Sequence, residues 1–382
     1  MFRDKTTFVI GAGASAEFGL PVGSKLAKRI RDSAVLKPSA ISKDWVIGDK
    51  FFLENLIEKY GQGEKFKACL AALTTINEGI YTATSIDAFI HRHRGNQYIK
   101  ELGKALIALE IAKAERASDM RMDGVPGIDG TLDKEELEDK WIGHFFRTLS
   151  DGVENPRHLG REINIICFNY DRCIEHYLIE AIHKAYRIER NAAKEIVDDI
   201  NIIHPYGTLG RVPYQQGGYG DRMLAFGPDL ERSFRLFTVS ENIRTYAEQT
   251  HKEKEVKSIH DAICDCKSLI FLGFGFNNQN LDLLRIRTLK EYPDPTPRNI
   301  YTTGVGIFEQ ANDTLRRRIL DLFVERDMHD RWSNRVHIEN GQGCKELFKI
   351  HGMNFSSFVQ HIVNGDSVAS TAGERLSYVG ED

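Results

Sequence analysis

Four short apolar runs, each separated from the next by helical or glycine-rich sequence, constrain the fold of this chain more than any other feature. The runs are INIICF (163–168), INIIHPYG (200–207), SLIFLGFGF (268–276) and NIYTTGVG (299–306). A strand that is apolar along its whole length is buried on both faces, as it is in a parallel sheet covered by helices on both sides. Together with a strand at 6–10, the runs predict an α/β fold with a Rossmann-like, doubly wound parallel sheet.

The spacing of these strands along the chain predicts one domain with a large insertion. The sheet core comes from about 1–30 and 161–340, and the sequence between about 31 and 150 has a helical pattern with few strand candidates. We therefore expect a helical insertion or cap at 31–150 within a single domain that spans 1–365. The end of the chain, 366–382, is expected to be a disordered tail.

Periodicity also sets the bounds expected for individual elements. Helices are expected at 51–60, 64–79 and 85–117, an edge strand at 335–340 and a last helix at 344–363. Ser85 is the expected N-cap of the third helix, with Asp87 in its first turn, where a negative charge suits the helix dipole. The arginine cluster at 316–318 is expected to lie on a solvated helix face.

Composition excludes several classes of protein. The net charge of the 382 residues is -4, so no basic field indicates direct binding of nucleic acid. The longest apolar run, at 268–276, is too short to span a membrane, and the N-terminus has no signal-peptide pattern. The six cysteines include no pair of CxxC units, so neither a disulfide framework nor a metal site is expected. We expect a cytoplasmic protein with reduced thiols.

The glycine-rich turn after the first strand, in FVIGAGASAEFGLP (8–21), has two interpretations. Gly11, Gly13 and Ala16 match the G-x-G-x-x-A form of a dinucleotide-binding turn, in which backbone amides approach a diphosphate. Dehydrogenases also place an acidic residue about 20 positions further on, at the end of a second strand. Asp32 has that spacing but does not follow a strand, so a dehydrogenase site is not expected. A tight turn with close packing is the alternative.

Polar side chains follow the later strands at the points where these strands end. Asn169 and Asp171 follow the run at 163–168, at the strand end where parallel sheets bind ligands, although capping of the next helix explains both residues equally well. His204 follows the strand expected at 200–203 and could act as a general base, since an unperturbed histidine has a pKa of about 6.5. A hydrogen-bonded structural histidine is the alternative. A third glycine turn, at 273–276, follows the fourth strand.

Taken together and in this order, the motifs resemble a Sir2-type (sirtuin-like) domain, and more narrowly the bacterial Sir2-like NADases of antiviral defence. The motifs are GAGAS with the following Gly-Leu-Pro (11–21), TSIDAF (84–89), FNYD (168–171), HPYG (204–207) and GFGF (273–276). The resemblance touches 6–30 and 161–310. It implies that the first turn binds the diphosphate of NAD, which is the substrate, and that no dehydrogenase-type acidic residue is needed.

The resemblance also implies roles for individual residues. Asn169 would orient the ribose or the attacking water, His204 would act as the base, and Asp171 would orient Asn169 or bind the ribose region. The diphosphate would be bound by Gly11, Ala12, Gly13, Ala14 and Ser15. The adenosine side would be lined by Gly273, Gly275, Phe276 and Asn280. Asp87 would line the pocket from the helical insertion, unless it serves only the helix terminus.

Two departures from the sirtuin deacylases favour hydrolysis of NAD. Deacylases carry a four-cysteine zinc module, whereas here only Cys264 and Cys266 form a close pair. The third turn has Phe274 where deacylases commonly have a Gly-Ser or Gly-Thr-Ser turn. The expected activity is therefore that of an NAD glycohydrolase that yields nicotinamide and ADP-ribose. A protein deacylase and a non-catalytic sensor of NAD or ADP-ribose are the alternatives.

The resemblance further implies a biological role and partners. An NADase of this type would act in antiphage defence by depleting NAD, and would work as a homo-oligomer. The sequence has no Walker A motif and no repeat or Argonaute-like domain, so recognition of infection is expected in a separate protein. A HerA-type ATPase is the partner that such two-gene systems suggest.

Overall fold

The structure, a computed structural model, describes residues 1–38, 46–123, 131–132, 134–212, 224–246, 248, 253–286, 297–323, 329–356, 362–363 and 366–367. Its central sheet has six strands, β1 (Thr6–Ile10), β2 (Ile163–Cys167), β3 (Asn201–Ile203), β4 (Ser268–Leu272), β5 (Asn299–Gly304) and β6 (Val336–Asn340). The α-helices run over Ala12–Ala16, Gly23–Ser33, Lys50–Tyr60, Glu64–Gly79, Ile86–Arg92, Gln97–Arg116, Lys134–Glu138, Trp141–Ser150, Cys173–Tyr186, Arg190–Asp199, Leu230–Ser233, Leu236–Ser240, Glu253–Cys264, Asn278–Leu284, Asn312–Leu320, His329–Trp332 and Cys344–Phe355. Three further pairs of two-residue strands are Lys37–Pro38 with Val46–Ile47, Met122–Asp123 with Thr131–Leu132, and Ile362–Val363 with Asp366–Ser367.

The six strands form a parallel sheet in the order β6-β5-β4-β1-β2-β3. Thr6 of β1 lies opposite both Ile163 of β2 and Ser268 of β4, so β1 is at the centre. This is the strand order of dinucleotide-binding Rossmann folds, and the direction of winding reverses between β1 and β4. The predicted α/β doubly wound sheet is therefore confirmed. Ligands bind such sheets outside the carboxyl ends of the strands at that reversal.

Alternate side chains of the strands enter two apolar layers, one on each face of the sheet. Val9 and Phe271 belong to the layer that contains the helix Gln97–Arg116, whereas Phe8 and Leu272 belong to the layer that contains the helix Trp141–Ser150. Because neighbouring side chains point to opposite faces of a strand, continuous apolar runs are what two covered faces require.

Helices of the segment at 31–150 form a large part of the first layer. The helix Gln97–Arg116 has 13 buried residues, so other elements enclose most of its circumference. Lys50–Tyr60 and Glu64–Gly79 contribute Phe52 and Leu73 to the same apolar layer. These helices therefore cover one face of the sheet and do not form a separate cap. None of the helices in the described ranges has both the length and the apolar character of a membrane span.

Two helix bounds differ from the sequence-based prediction. The helix expected at 85–117 is interrupted after Ile86–Arg92, and Asn96 Oδ1 accepts hydrogen bonds from the amides of Tyr98 and Ile99 at 3.0 and 3.2 Å to begin a second helix. The last helix ends at Phe355 rather than at 363, because the backbone of Ser356 is extended and forms a β-bridge with Phe2. The prediction that Ser85 is an N-cap is confirmed, because the Ala88 amide donates a hydrogen bond to Ser85 Oγ at 3.1 Å. Of the expected tail, 368–382 lies outside the described residues.

Candidate active site

The carboxyl ends of β1, β2, β3 and β4 bring the sequence motifs together. The turn at Gly11 follows β1, Asn169 follows β2, His204 follows β3 and the turn at Gly273 follows β4. Residues that are up to 262 positions apart in sequence thus lie at one edge of the sheet, where its winding reverses. Hydrogen bonds connect most of them directly.

The two glycine turns pack against each other at this edge. The Gly11 amide donates to the Leu272 carbonyl and the Gly13 amide donates to the Gly273 carbonyl, both at 2.9 Å. A Cβ atom on Gly11 would lie 2.6 Å from the Gly273 carbonyl oxygen, and one on Gly13 would lie 2.7 Å from Gly273 Cα. Gly273 itself has a φ of 56°, which favours glycine. Close packing therefore explains all three glycines.

This packing bears on the predicted diphosphate site. The amides of Gly11 and Gly13 already donate to the carbonyls of Leu272 and Gly273, and the Ala14 amide donates to the Gly11 carbonyl at 2.9 Å. Those three donors are not available to a ligand in this conformation. By contrast, a Cβ atom on Gly275 would meet nothing within 4 Å, so packing does not require glycine there. In the first turn, Ser15 Oγ is the group that forms hydrogen bonds to the side chains of Asn169 and Asp171.

Asn169 is buried, and only the nitrogen of its side-chain amide has hydrogen-bond partners among the described residues. Its Nδ2 donates to the Gly11 carbonyl at 3.1 Å and to Ser15 Oγ at 2.8 Å. Its Oδ1 is buried and has no hydrogen-bond partner among the described residues. A buried acceptor of this kind is costly unless a ligand or water supplies a donor. Asn169 therefore presents one oriented acceptor at the carboxyl end of β2.

Asp171 is buried and accepts two hydrogen bonds. It accepts a hydrogen bond from the Cys173 amide at 3.2 Å, which caps the following helix, and one from Ser15 Oγ at 3.0 Å. Since Ser15 Oγ also accepts from Asn169 Nδ2, one hydroxyl links Asp171 to Asn169. Burial raises the pKa of Asp171, and the hydrogen bonds from Cys173 and Ser15 oppose that shift.

His204 lies between two hydrogen-bond acceptors. Its Nε2 is 2.7 Å from Glu175 Oε1 and its Nδ1 is 3.3 Å from the Asn169 carbonyl oxygen. Burial alone would lower the pKa of His204, but the Glu175 carboxylate raises it well above its usual value. Burial would likewise raise the pKa of Glu175, but His204 holds it below its usual value. Because the groups nearest the two ring nitrogens are both acceptors, this arrangement favours the protonated form of His204.

Asp87 contacts the FNYD motif rather than capping its own helix. Ser85 caps that helix, and Asp87 Oδ1 accepts a hydrogen bond from the Tyr170 hydroxyl at 2.6 Å. Asp87 is buried, and burial raises its pKa to about 6 against the opposing effect of the Tyr170 hydrogen bond. A carboxyl from the segment at 31–150 therefore reaches the end of β2.

The third turn and the HPYG motif are also connected. The Tyr206 hydroxyl donates to Asn280 Oδ1 at 2.8 Å, and Asn277 Oδ1 caps the helix that contains Asn280. Phe276 has a φ of 49°, and Arg318 Nη2 donates to its carbonyl oxygen at 2.9 Å. Arg318, from the cluster expected on a solvated face, is partly buried and also supports the turn.

Sequence reasoning missed two charged pairs at this site. One is Glu175 with His204, and the other is the buried ion pair of Arg172 with Glu115. Arg172 Nε lies 3.0 Å from Glu115 Oε1, and Glu115 Oε2 accepts the Gly227 amide at 3.2 Å. The sequence contains two signals for the second pair: Arg172 is a charged residue directly after FNYD, and Glu115 lies in a largely buried helix. Neither signal identifies its partner.

Within the described part of the chain, no three His, Cys, Asp or Glu side chains are arranged to hold a metal ion. All six cysteines are free thiols, and Cys264 and Cys266 lie at the end of the helix before β4.

Comparison with known proteins adds one match. A family model described as a SIR2-like domain matches residues 164–323, which include most of β2 and all of β3, β4 and β5. No curated protein matches the chain. The match supports a Sir2-like fold and an NAD-related function of the Sir2 family.

Proposed function

We propose that the protein is an NAD glycohydrolase that cleaves the nicotinamide–ribose bond to yield nicotinamide and ADP-ribose. The observation that carries this proposal is the buried Asn169 Oδ1, which accepts no hydrogen bond from any described residue. A ribose hydroxyl or a water molecule would supply a donor. The position of Asn169, at the reversal of a dinucleotide-binding sheet, suits NAD.

Cleavage of this bond needs little acid catalysis, because the cationic nicotinamide leaves as a neutral molecule with the bonding electron pair. The ribose carbon becomes cationic, a water oxygen adds to it, and that water loses a proton. Asn169 would hold the ribose or the water in place. The carboxylate of Asp171 would favour the positive charge on the ribose.

Two alternatives are weaker. A deacylase is disfavoured by the cysteine positions, since Cys264 and Cys266 are the only close pair in the sequence. A non-catalytic NAD or ADP-ribose sensor has one observation in its favour, namely that both ring nitrogens of His204 are engaged. In the proposed enzyme, this arrangement of His204 belongs to the resting state, before turnover begins.

The biological part of the proposal is defence by NAD depletion. An unrestrained NADase would consume the NAD of its own host cell, so we propose that activity requires a homo-oligomer and a separate activating protein such as a HerA-type ATPase. Mass in solution and NAD turnover across a dilution series, with and without the ATPase, test this part. A monomer with full, concentration-independent turnover would contradict it.

The activity itself is tested by incubating the purified full chain with NAD and no acylated peptide, with and without the ATPase. We expect nicotinamide and ADP-ribose in equal amounts, and a loss of about 100-fold or more in Asn169→Ala. Asn164→Ala is the matched control, because Asn164 is also buried on β2 but bonds to Asn201 at the opposite end of the strand. Product that depends strictly on an acetyl-lysine peptide would indicate the deacylase.

A further inference from the structure

The Glu175–His204 pair is the part of the site that the proposed reaction leaves unexplained. A general base must offer a nitrogen lone pair, yet Glu175 Oε1 and the Asn169 carbonyl oxygen, 2.7 and 3.3 Å from the two ring nitrogens, can only accept hydrogen bonds. The Cys167 thiol is a third group that interacts with the ring. Glu175 lies in the first turn of the helix Cys173–Tyr186, and its second oxygen is buried without a partner among the described residues.

We propose that Glu175 is a positioning residue that keeps His204 doubly protonated in the resting site, so that turnover begins only when His204 releases a proton. The inference rests on the proposed cleavage of NAD and adds its regulation. In the resting state the imidazolium donates Nε2–H to Glu175 and Nδ1–H to the Asn169 carbonyl. A positive charge at this position opposes the cationic ribose of the transition state.

The neutral form of His204 has the opposite effect. Once His204 has lost a proton, the charge that opposed cleavage is gone and one ring nitrogen can accept a hydrogen bond. The attacking water then adds its oxygen to the ribose carbon, its O–H bond breaks, and the proton returns to His204. Nicotinamide leaves with the electron pair of the broken bond. Each turnover thus regenerates the imidazolium, which must lose its proton to solvent before the next one.

The surroundings of His204 support this assignment. The titratable groups that act on it are Glu175 from the helix after β2 and the Cys167 thiol from β2. Glu175 is also influenced by Arg172, and Cys167 by Asp171. Glu175 is the only one of these groups that forms an ion pair with His204 in the described part of the chain. Removing its charge is therefore the change that should release His204.

The test measures the protonation of His204 directly, by nitrogen NMR of the full-length protein, with the signal assigned by its loss in His204→Gln. In the unmodified protein we expect both ring nitrogens to be protonated at pH 7. In Glu175→Gln the titration midpoint should fall by about one to three pH units. Glu180→Gln is the control, because Glu180 is a buried carboxylate on the same helix that pairs with Arg190 instead. It should leave the midpoint unchanged.

The pH dependence of NAD turnover gives the second readout. We expect turnover to rise with pH at the midpoint of His204, and this rise to move to lower pH in Glu175→Gln. An ordinary His204 midpoint, or one that Glu175→Gln does not move, overturns the inference even if NAD is cleaved. If His204 titrates as expected but NAD is not cleaved, the assignment of the resting pair stands and the proposed function fails.

Discussion

Asn169 Nδ2 lies 2.8 Å from Ser15 Oγ, and this hydrogen bond joins the carboxyl end of β2 to the turn after β1. Ser15 donates its own proton to Asp171 Oδ1 at 3.0 Å. The amide orientation of Asn169 is therefore determined by acceptors on the Nδ2 side, which leaves Oδ1 for a ligand. One hydroxyl thus connects the predicted diphosphate turn with the predicted catalytic motif.

The first prediction concerns that hydroxyl. Ser15→Ala removes the acceptor of Asn169 and a donor of Asp171, both of which are buried. We expect a loss of about 1–3 kcal/mol in the free energy of unfolding and a fall in NAD turnover of about 100-fold from misplacement of Asn169. Urea unfolding and product analysis measure the two effects. Ser240→Ala is the control, since this buried hydroxyl donates to Phe237 in a helix outside the site. Wild-type turnover in Ser15→Ala would contradict the role of Ser15.

The second prediction concerns the buried ion pair between Arg172 and Glu115. Either Arg172→Met or Glu115→Leu leaves a buried group without its partner, so each single change should lower the free energy of unfolding by about 3–5 kcal/mol. The double variant Arg172→Met/Glu115→Leu should lose less than the sum, because no unpaired charge remains. Additive losses in urea unfolding would show that the two side chains act independently.

The third prediction separates packing from ligand binding among the glycines. Gly13→Ala should lower the free energy of unfolding by about 1–3 kcal/mol, because its Cβ would meet the backbone of Gly273. Gly275→Ala should leave stability unchanged but raise the KM for NAD if the adenosine lies there. Thermal unfolding and steady-state kinetics distinguish the two. Equal stability of both variants would remove the packing explanation for the first turn.

The fourth prediction is a pH dependence that originates at Asp87. The pKa of Asp87 in the folded protein is about 6, above the unfolded value of 3.8. Its contribution to stability is therefore fully present below pH 3.8 and is lost as the pH rises through about 6. Asp87→Asn should be more stable than the unmodified protein at pH 7, by at most about 3 kcal/mol, and should lose that advantage near pH 4. A difference that does not change with pH would contradict this assignment.

The sheet and the position of the motifs could be predicted from the sequence, because both depend on local patterns. Apolar runs such as INIICF specify buried parallel strands, and a residue that follows a strand, such as Asn169 or His204, must lie at its carboxyl end. The interruption of the helix before Gln97 also had a local signal, since Gly95 and Asn96 favour a turn and an N-cap.

The parts that escaped prediction depend on pairs that are distant in sequence. Gly13 needs its glycine because of Gly273, and Glu115 is tolerated in an apolar helix because of Arg172. Glu175 occupies an ordinary first-turn position, where a negative charge suits the helix dipole without any partner. Only the folded arrangement places it against His204 and so changes the protonation expected for that residue.

Because β1 is a central strand of the sheet, a fragment of this protein that lacks β1 cannot form the sheet described above. The segment at 164–323 looks like a complete unit in sequence comparison, yet the strand that pairs with both β2 and β4 comes from Thr6–Ile10. A fragment cut to those limits would have two unsatisfied strand edges facing a gap in the middle of its sheet, and such edges recruit strands from other molecules. Truncated versions should therefore aggregate, the more so because they also lose β6 and the helices at 31–150 that cover one face of the sheet.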